Sequence, residues 1–581
     1  MPSEKRRDDT WLSDAQLARC ARADEAEFSP SPIPAQIVSN GEYLPMAQTE
    51  EQKRVQARTM ELADGAAKKL GMSRRKFLAG TGGMAAALLA MNEVYGHFFD
   101  VRPLEMFESE AFAESGVPRN LFVFDDQLHM VRHSNVTTNR ALRALAQGPT
   151  TPRAEFPWNP FNPPPGLLDE LGDVWSNWNP ALINDQMGPD IYQLANFIKA
   201  LYFDSQVTVG LLSNITGFLP VFVEGIPPTS IADARTFEVL TADQTAAVRD
   251  FVNHIAGGAK RLLAHGLMYV GDANLFDIQR QIDQNKPDSW KGYTVSLAAK
   301  QLTDAAGDPM RAWRLDDEQV AYKTFELIAK YQTILRKERP GFGNICVHKG
   351  FAPTDEDTPE NGNPEDIPKA ARDWPNFNFI IYHSCIKPIL FYNPEPLQNL
   401  LSSQPTLREG VPDIRWTTRF AQLARDLPNV YAELGSTFAS TVITFPTVWA
   451  HLIGQLMKFM GPRRIVFGSD SLWYGAPQWQ LEAFWRFQIP EALRKRWGYP
   501  GLSSGDKKRM LGMNSAQLYR LPLGSRRPVP PNYEELVPDE LKTLLEFPGF
   551  ASDNLSRLKE RYLAEGPVPD HTRYGWIRTM V

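Results

Sequence analysis

Four short apolar runs in this chain each end in a residue that can bind a metal or move a proton. They are residues 120–129 (NLFVFDDQLH), 344–348 (NICVH), 377–383 (FNFIIYH) and 464–470 (RIVFGSD). Runs of this length and character read as short buried strands. A parallel barrel collects its chemistry at the C-terminal ends of its strands, where loops build a pocket. Three strands ending in His and a later one in Asp carry the ligand chemistry of a catalytic divalent-metal site. Side chains alternate along a regular strand, which would place Asp125, Gln127 and His129 on one face and Asp126 and Leu128 on the other.

Between these runs the pattern alternates. Further strand candidates lie at 206–214, 267–271, 292–297 and 429–434, separated by helical patterns such as 241–265, 316–336, 365–373, 414–426 and 448–460. Strands alternating with helices signal βα units. Eight strand candidates in order predict an α/β fold, a (β/α)8 TIM barrel spanning 114–524. The Pro-rich stretches 149–180 and 352–364 read as lids or binding loops. Residues 1–72 are polar without sustained apolar periodicity, and are expected to form a mobile or loosely helical extension. After Leu523 a Pro/Arg-rich linker leads into a helical C-terminal arm, 525–581. Such an arm packs on the barrel or on a partner subunit, which would make the protein a homodimer.

Composition narrows the class. At 581 residues with 43% hydrophobic and 22% charged, the chain has the balance of a folded soluble protein. A formal net charge of −6 argues against a nucleic-acid partner. The three cysteines, Cys20, Cys346 and Cys385, are too few and too far apart for a disulfide scaffold or a CxxC knuckle. Residues 73–113 hold a targeting candidate: Ser73-Arg74-Arg75-Lys76-Phe77-Leu78, an uncharged run over 77–91, and Ala111-Phe112-Ala113 as a cleavage-like site. The run is shorter than the ~20 residues of a membrane span. It resembles a twin-arginine (Tat) export signal, which implies the export machinery as a partner and a periplasmic or otherwise extracytoplasmic location. The alternative is an amphipathic helix starting near Ser73.

Taken together, the motifs resemble the amidohydrolase-related branch of the amidohydrolase superfamily, which includes metal-dependent hydrolases and nonoxidative decarboxylases. Asp125–His129 stands where that family carries D-x-H-x-H, Trp290-Lys291-Gly292-Tyr293 resembles its fourth-strand opening, and 367–384 its helix–strand unit with a terminal His. Residues 464–470 resemble its last strand and 510–521 its closing helix. The resemblance implies one divalent metal ion, zinc or alternatively manganese, bound by His129, His348 and Asp470, with His383 as an acid/base group or further ligand. The first His of the usual pair is Gln127 here. A neutral amide is a poor zinc ligand beside imidazole and carboxylate, so Gln127 would bind weakly or hydrogen-bond a metal-bound water.

Other residues divide between functional and structural readings. Asp125 and Glu433 are expected to orient the ligands rather than bind, with Ser436 a further functional candidate. Cys385 reads as a small buried residue, and His133, His254, His265 and His451 as structural or surface residues. Lys349 is either a rim charge for an anionic substrate or an ordinary loop charge. Three functions are open for a small-molecule substrate. The first is hydrolysis of an ester, lactone or amide, with the metal activating water, Asp470 binding the metal or accepting a proton and His383 serving the leaving group. The second is nonoxidative decarboxylation of an aromatic or unsaturated acid. The third is a metal-free barrel acting as a binding protein. Only Lys349 and Lys387 lie within a few positions of the strand-end histidines, and this scarcity of cations favours hydrolysis.

Overall fold

A computed structural model describes residues 49–132, 193–216, 238–294, 312–350, 359–386, 414–522 and 537–545, together with 33 and 235 and without 79 and 203. The expected loop 149–180, His133, Lys387, Cys20 and most of the arm 525–581 lie outside the described residues, as do 351–358 of the second expected loop.

Eight parallel strands follow one another around a single sheet: β1 (Phe124–Leu128), β2 (Val209–Leu212), β3 (Leu262–Met268), β4 (Ser289–Tyr293), β5 (Asn344–His348), β6 (Asn378–Tyr382), β7 (Val430–Glu433) and β8 (Ile465–Val466). The sheet closes on itself. Asp126 N–H donates to Phe467 O at 2.9 Å, Asp470 N–H to Gln127 O at 2.9 Å, and Leu128 bridges Ser471. Helices α1 (Glu50–Leu70) and α2 (Thr81–Tyr95) precede the barrel. Around it stand α3 (Leu194–Tyr202), α4 (Ala242–Ile255), α5 (Leu275–Arg280), α6 (Ala321–Leu335), α7 (Ile367–Asp373), α8 (Arg415–Leu423), α9 (Pro446–Phe459) and α10 (Gln478–Arg486). This is the TIM-barrel architecture.

Strands buried on both faces need apolar residues at successive positions, which is why Ile345-Cys346-Val347 and Phe379-Ile380-Ile381 are continuous runs. The barrel interior is filled by Phe124, Val209, Leu211, Leu263, Cys346, Ile380, Tyr382 and Val466, with Tyr519 stacked on Phe124 at 5.2 Å. Leu128 instead joins the larger outer core. In a regular strand Phe124 and Leu128 would share a face. The β1–β2 register shifts between Asp125 and Leu128, so simple alternation fails along this strand.

Two expected elements move. The helical pattern over 241–265 breaks early: α4 ends at Ile255, and Gly257 and Gly258 (φ +65° and +80°) turn the chain into β3 from Leu262. His265 therefore sits on a strand inside the core, bonded to Tyr382 Oη and Ser289 Oγ at 2.9 Å each. The fourth strand also starts earlier than expected and takes in Trp290 and Lys291.

Of the expected extension 1–72, residues 1–32 and 34–48 lie outside the described residues, and most of the rest is helical. A reciprocal capping box between Thr49 and Gln52 starts α1, which buries Val55, Thr59, Ala63, Ala66 and Ala67. That stripe is made mainly of small residues, so the segment reads as polar although it is amphipathic. The twin-arginine segment runs into α2, 15 residues long and buried along most of its length. Asn92 fixes the exit from this helix by bonding Phe98 N, Phe99 N and Phe99 O at 3.1, 2.9 and 2.7 Å. Arg486, fully buried on α10, holds the following segment through Glu105 (2.6 Å), Asp100 O (3.1 Å) and Phe112 O (2.8 Å). Residues 73–78 and 80–113 are thus part of the folded body, and Ala111 and Phe112 are buried within the helix Ser109–Ser115. An apolar run of this length serves a buried helix as well as a signal. No helix of the described residues is long and apolar enough to cross a membrane.

Candidate active site

Two pairs of buried side chains meet at the C-terminal ends of the strands. Past β1 and β8, His129 Nε2 stands 3.0 Å from Asp470 Oδ1. Gln127 Nε2 lies 3.3 Å from the same imidazole nitrogen. At the ends of β5 and β6, His383 Nε2 and His348 Nδ1 are 3.2 Å apart, and Tyr293 stacks on the His348 ring at 4.7 Å. The dipeptide Gly435-Ser436, just beyond β7, joins the pairs. Ser436 N–H donates to His383 Nδ1 at 3.1 Å, and Ser436 Oγ donates to Asp470 Oδ2. A Cβ on Gly435 (φ +37°) would lie 2.6 Å from Gln127 Oε1, 2.8 Å from His383 Nδ1 and 2.9 Å from Glu433 Oε2. Only glycine fits where these groups crowd together.

The backbone at both key positions is unusual. His383 and Asp470 have φ of +59° and +58°, a left-handed region that non-glycine residues seldom occupy and that concentrates at functional sites. Surrounding bonds hold them there: Thr437 Oγ1 donates to His383 O at 2.6 Å, and Ser384 Oγ to Glu433 O at 2.7 Å. Asp125 turns its carboxylate to the N–H groups of Ser469 (2.8 Å) and Gln127 (3.3 Å), tying β1 to the residue before Asp470.

Protonation is set by these bonds. Because His383 Nδ1 accepts the Ser436 N–H, its ring proton sits on Nε2 and points at His348 Nδ1. Burial drives His383 well below the usual imidazole range, with His348 and Lys291 adding to the effect. Burial also lowers His129, against the opposing pull of Asp470. Glu433 is pushed well above the carboxylate range by burial, an effect that the His383 N–H opposes and Asp470 reinforces. Burial likewise raises Asp125 to about 7. Glu433 therefore holds its proton to higher pH than an ordinary carboxyl. Its Oε2 accepts the His383 N–H at 3.1 Å, and its buried Oε1 has no hydrogen-bond partner among the described residues.

The metal implied by the resemblance meets a narrower donor set than expected. His129 Nε2 and Asp470 Oδ1 are close, yet Oδ1 has no aligned hydrogen-bond donor among the described residues, which suits two groups aimed at a shared cation. Both nitrogens of His383 are already engaged, and His348 Nδ1 takes the His383 proton. Among the described residues no group of three or more His, Cys, Asp or Glu side chains is arranged to hold a metal ion. The donors present fit a cation with His129 and Asp470 as its protein ligands.

One buried charge was not among the expected site residues. Lys291 on β4 is fully buried, with Nζ 3.4 Å from the Tyr382 ring centre and 5.2 Å from that of Tyr293. Its charge is felt at His129, His383 and Glu433. A lysine in the middle of a strand otherwise apolar enough to be buried was the available signal. Lys349 is taken out of the site: it is buried against Asp366 Oδ2 at 2.9 Å and Asn361 O at 2.6 Å. Cys385 is buried, and His451 bonds Tyr499 Oη at 2.9 Å away from the strand ends.

Residues 307–521 match the family model described as Amidohydrolase, a span that holds β5 to β8. That match covers the second half of the barrel and makes this part of the chain similar to the amidohydrolase-related family. No curated protein sequence matches the chain. Among solved structures it is similar to 2,6-dihydroxybenzoate decarboxylase from Rhizobium (13% identity, 69% of this chain and 99% of that one, TM-score 0.35). It is also similar to 5-carboxyvanillate decarboxylase from Novosphingobium aromaticivorans DSM 12444, complexed with manganese (12%, 70% and 98%, TM-score 0.36). A third is a putative metal-dependent hydrolase from Lactobacillus casei ATCC 334 (14%, 70% and 98%, TM-score 0.37). At TM-scores this low the likenesses do not distinguish one reaction from another.

Proposed function

We propose that the chain is a nonoxidative carboxy-lyase acting on an aromatic or unsaturated carboxylic acid. The observation that carries this reading is Lys291, a cation buried inside the barrel against the Tyr382 ring, whose charge reaches His129, His383 and Glu433. The preference for hydrolysis rested on a lack of cations near the strand ends, and Lys291 removes that ground. Its ammonium group offers the substrate carboxylate an opposite charge in a site that excludes water. Glu433, which burial makes hold its proton to higher pH than an ordinary carboxyl, would give the proton that the reaction needs. The bond between carbon and carboxylate breaks, carbon dioxide leaves, and the electron pair left on carbon takes the Glu433 proton. The Glu433 carboxylate that results then regains a proton from solvent. A divalent cation held by His129 and Asp470 would supply a second charge for the substrate's oxygens.

Purified protein supplied with manganese or zinc, incubated with hydroxybenzoates on one side and simple esters and lactones on the other, tests the assignment. Carbon dioxide release from an acid is the expected result. Ester or lactone turnover without it returns the chain to the hydrolase class.

Export by the twin-arginine route is a separate proposal, carried by Ser73–Leu78. The helix α2 that comes after this segment packs into the body, so engagement requires it to leave that seat. Replacing Arg74 and Arg75 by Lys should keep a tagged protein inside the cell, and equal periplasmic yield for both forms would overturn the proposal.

A further inference from the structure

We propose that Ser436 is the positioning residue that couples the two halves of the site, its backbone setting the His383 tautomer and its hydroxyl setting the direction of Asp470. The inference rests on the reading of this cluster as the active site. Three observations lead to it. The Ser436 N–H donates to His383 Nδ1 at 3.1 Å, so the N–H of one residue decides which His383 nitrogen carries the proton. The Ser436 hydroxyl donates to Asp470 Oδ2, which leaves Oδ1 facing His129 Nε2 at 3.0 Å. A hydroxyl has a single proton, and Tyr474 Oη fixes where it goes: it donates to Ser436 Oγ at 2.9 Å, leaving the Ser436 proton for Asp470. Tyr474 is itself buried and bonded to Ser440 Oγ at 3.3 Å, so the chain of hydroxyls is anchored from behind.

The arrangement has a physical consequence. Asp470 sits at a left-handed residue and has no helix or strand to fix its side chain. The Ser436 bond is the one described hydrogen bond to its carboxylate. Remove the hydroxyl and Oδ1 loses its fixed aim at His129, while the backbone N–H, and with it the His383 tautomer, stays. The two arms of Ser436 are therefore separable by substitution. Groups that orient a catalytic carboxylate or histidine from behind typically contribute 10- to 100-fold in activity.

Histidine side-chain nitrogens, observed by NMR in full-length protein labelled with 15N-histidine, provide a test that needs no substrate. Signals of His383 and His129 are assigned from His383→Asn and His129→Asn. In the parent, His383 should show an unprotonated Nδ1 and a protonated Nε2. Ser436→Ala should leave that pattern intact, shift the His129 nitrogens, and lower kcat for carbon dioxide release by roughly 10- to 100-fold with less change in KM. Ser436→Thr, which keeps the hydroxyl, should restore both. Tyr474→Phe should move His129 in the same direction by less. A protonated His383 Nδ1 in the parent overturns the tautomer arm, and unchanged His129 signals in Ser436→Ala overturn the hydroxyl arm. If the parent releases no carbon dioxide, the lyase reading fails while these signals still decide the role of Ser436.

Discussion

Replacing Lys291 by Met removes one buried charge and nearly preserves the length of the side chain. Lys291 is fully buried with its ammonium 3.4 Å from the centre of the Tyr382 ring. A hydrogen bond to a charged group contributes about 1.5–3 kcal/mol. With ~1.4 kcal/mol for each factor of ten, loss of the contact to a substrate carboxylate lowers kcat/KM by roughly 10- to 150-fold. Most of the loss should fall on KM, because the carboxylate is present in the ground state and gone in the product. Glu433 holds its proton no less firmly in the variant: the Lys291 charge opposes its upward shift, so removing it drives that shift further. The proposed proton donor is thus kept, while the imidazoles of His129 and His383, which the Lys291 charge also lowers, become easier to protonate. Swapping a buried charge for an apolar group of similar volume is often neutral or stabilising, so urea midpoints should be unchanged or higher. Carbon dioxide release measured over a range of acid concentrations gives both constants. A variant with kcat/KM within about threefold of the parent would refute the role of Lys291, and with it the observation on which the lyase reading stands.

Other outcomes depend on single groups. Glu433→Gln keeps the shape and neutrality of the protonated acid but cannot give a proton, so kcat should fall by roughly 10²–10⁴ with little change in urea midpoint. A loss below tenfold, or a collapse in stability, would separate Glu433 from the proton transfer. Arg486→Ala leaves Glu105 and Glu482 buried without their cation and should cost about 3–5 kcal/mol in urea unfolding. His451 is held down to about 4 by burial, with Arg496 adding to the effect, against about 6.5 when unfolded. Between those values the unfolded chain binds more protons, so stability falls as pH drops from about 6.5 towards 4. His451→Gln should shrink the difference between urea midpoints at pH 7 and pH 4.5.

The barrel was legible because its strands are buried on both faces, and continuous runs such as Asn344–His348 show plainly in a sequence. Positions governed by a turn were harder to read. The pattern through His265 looked helical because apolar residues continue across Gly257 and Gly258, and only the positive φ at those glycines reveals the break. Along β1, alternation was expected to set Asp125, Gln127 and His129 on one face. The register shift between Asp125 and Leu128 interrupts that alternation, and the Asp125 carboxylate accepts the N–H of Ser469. The α1 helix was hidden by its alanines, which pack closely without raising the apparent hydrophobicity of the segment.

Lys291 and Ser436 show why a site is less legible than the barrel that carries it. A motif records which residues stand at strand ends, but the chemistry depends on where their protons are. His383 could be read from sequence as a ligand or an acid. The Ser436 N–H turns it into a neutral donor facing His348, with no lone pair left to offer a metal. Glu433 could be read as a supporting carboxylate, and its complete burial strengthens its hold on a proton. Under the proposed lyase reading, those two features and a lysine set inside the barrel serve to hold a carboxylate and protonate carbon.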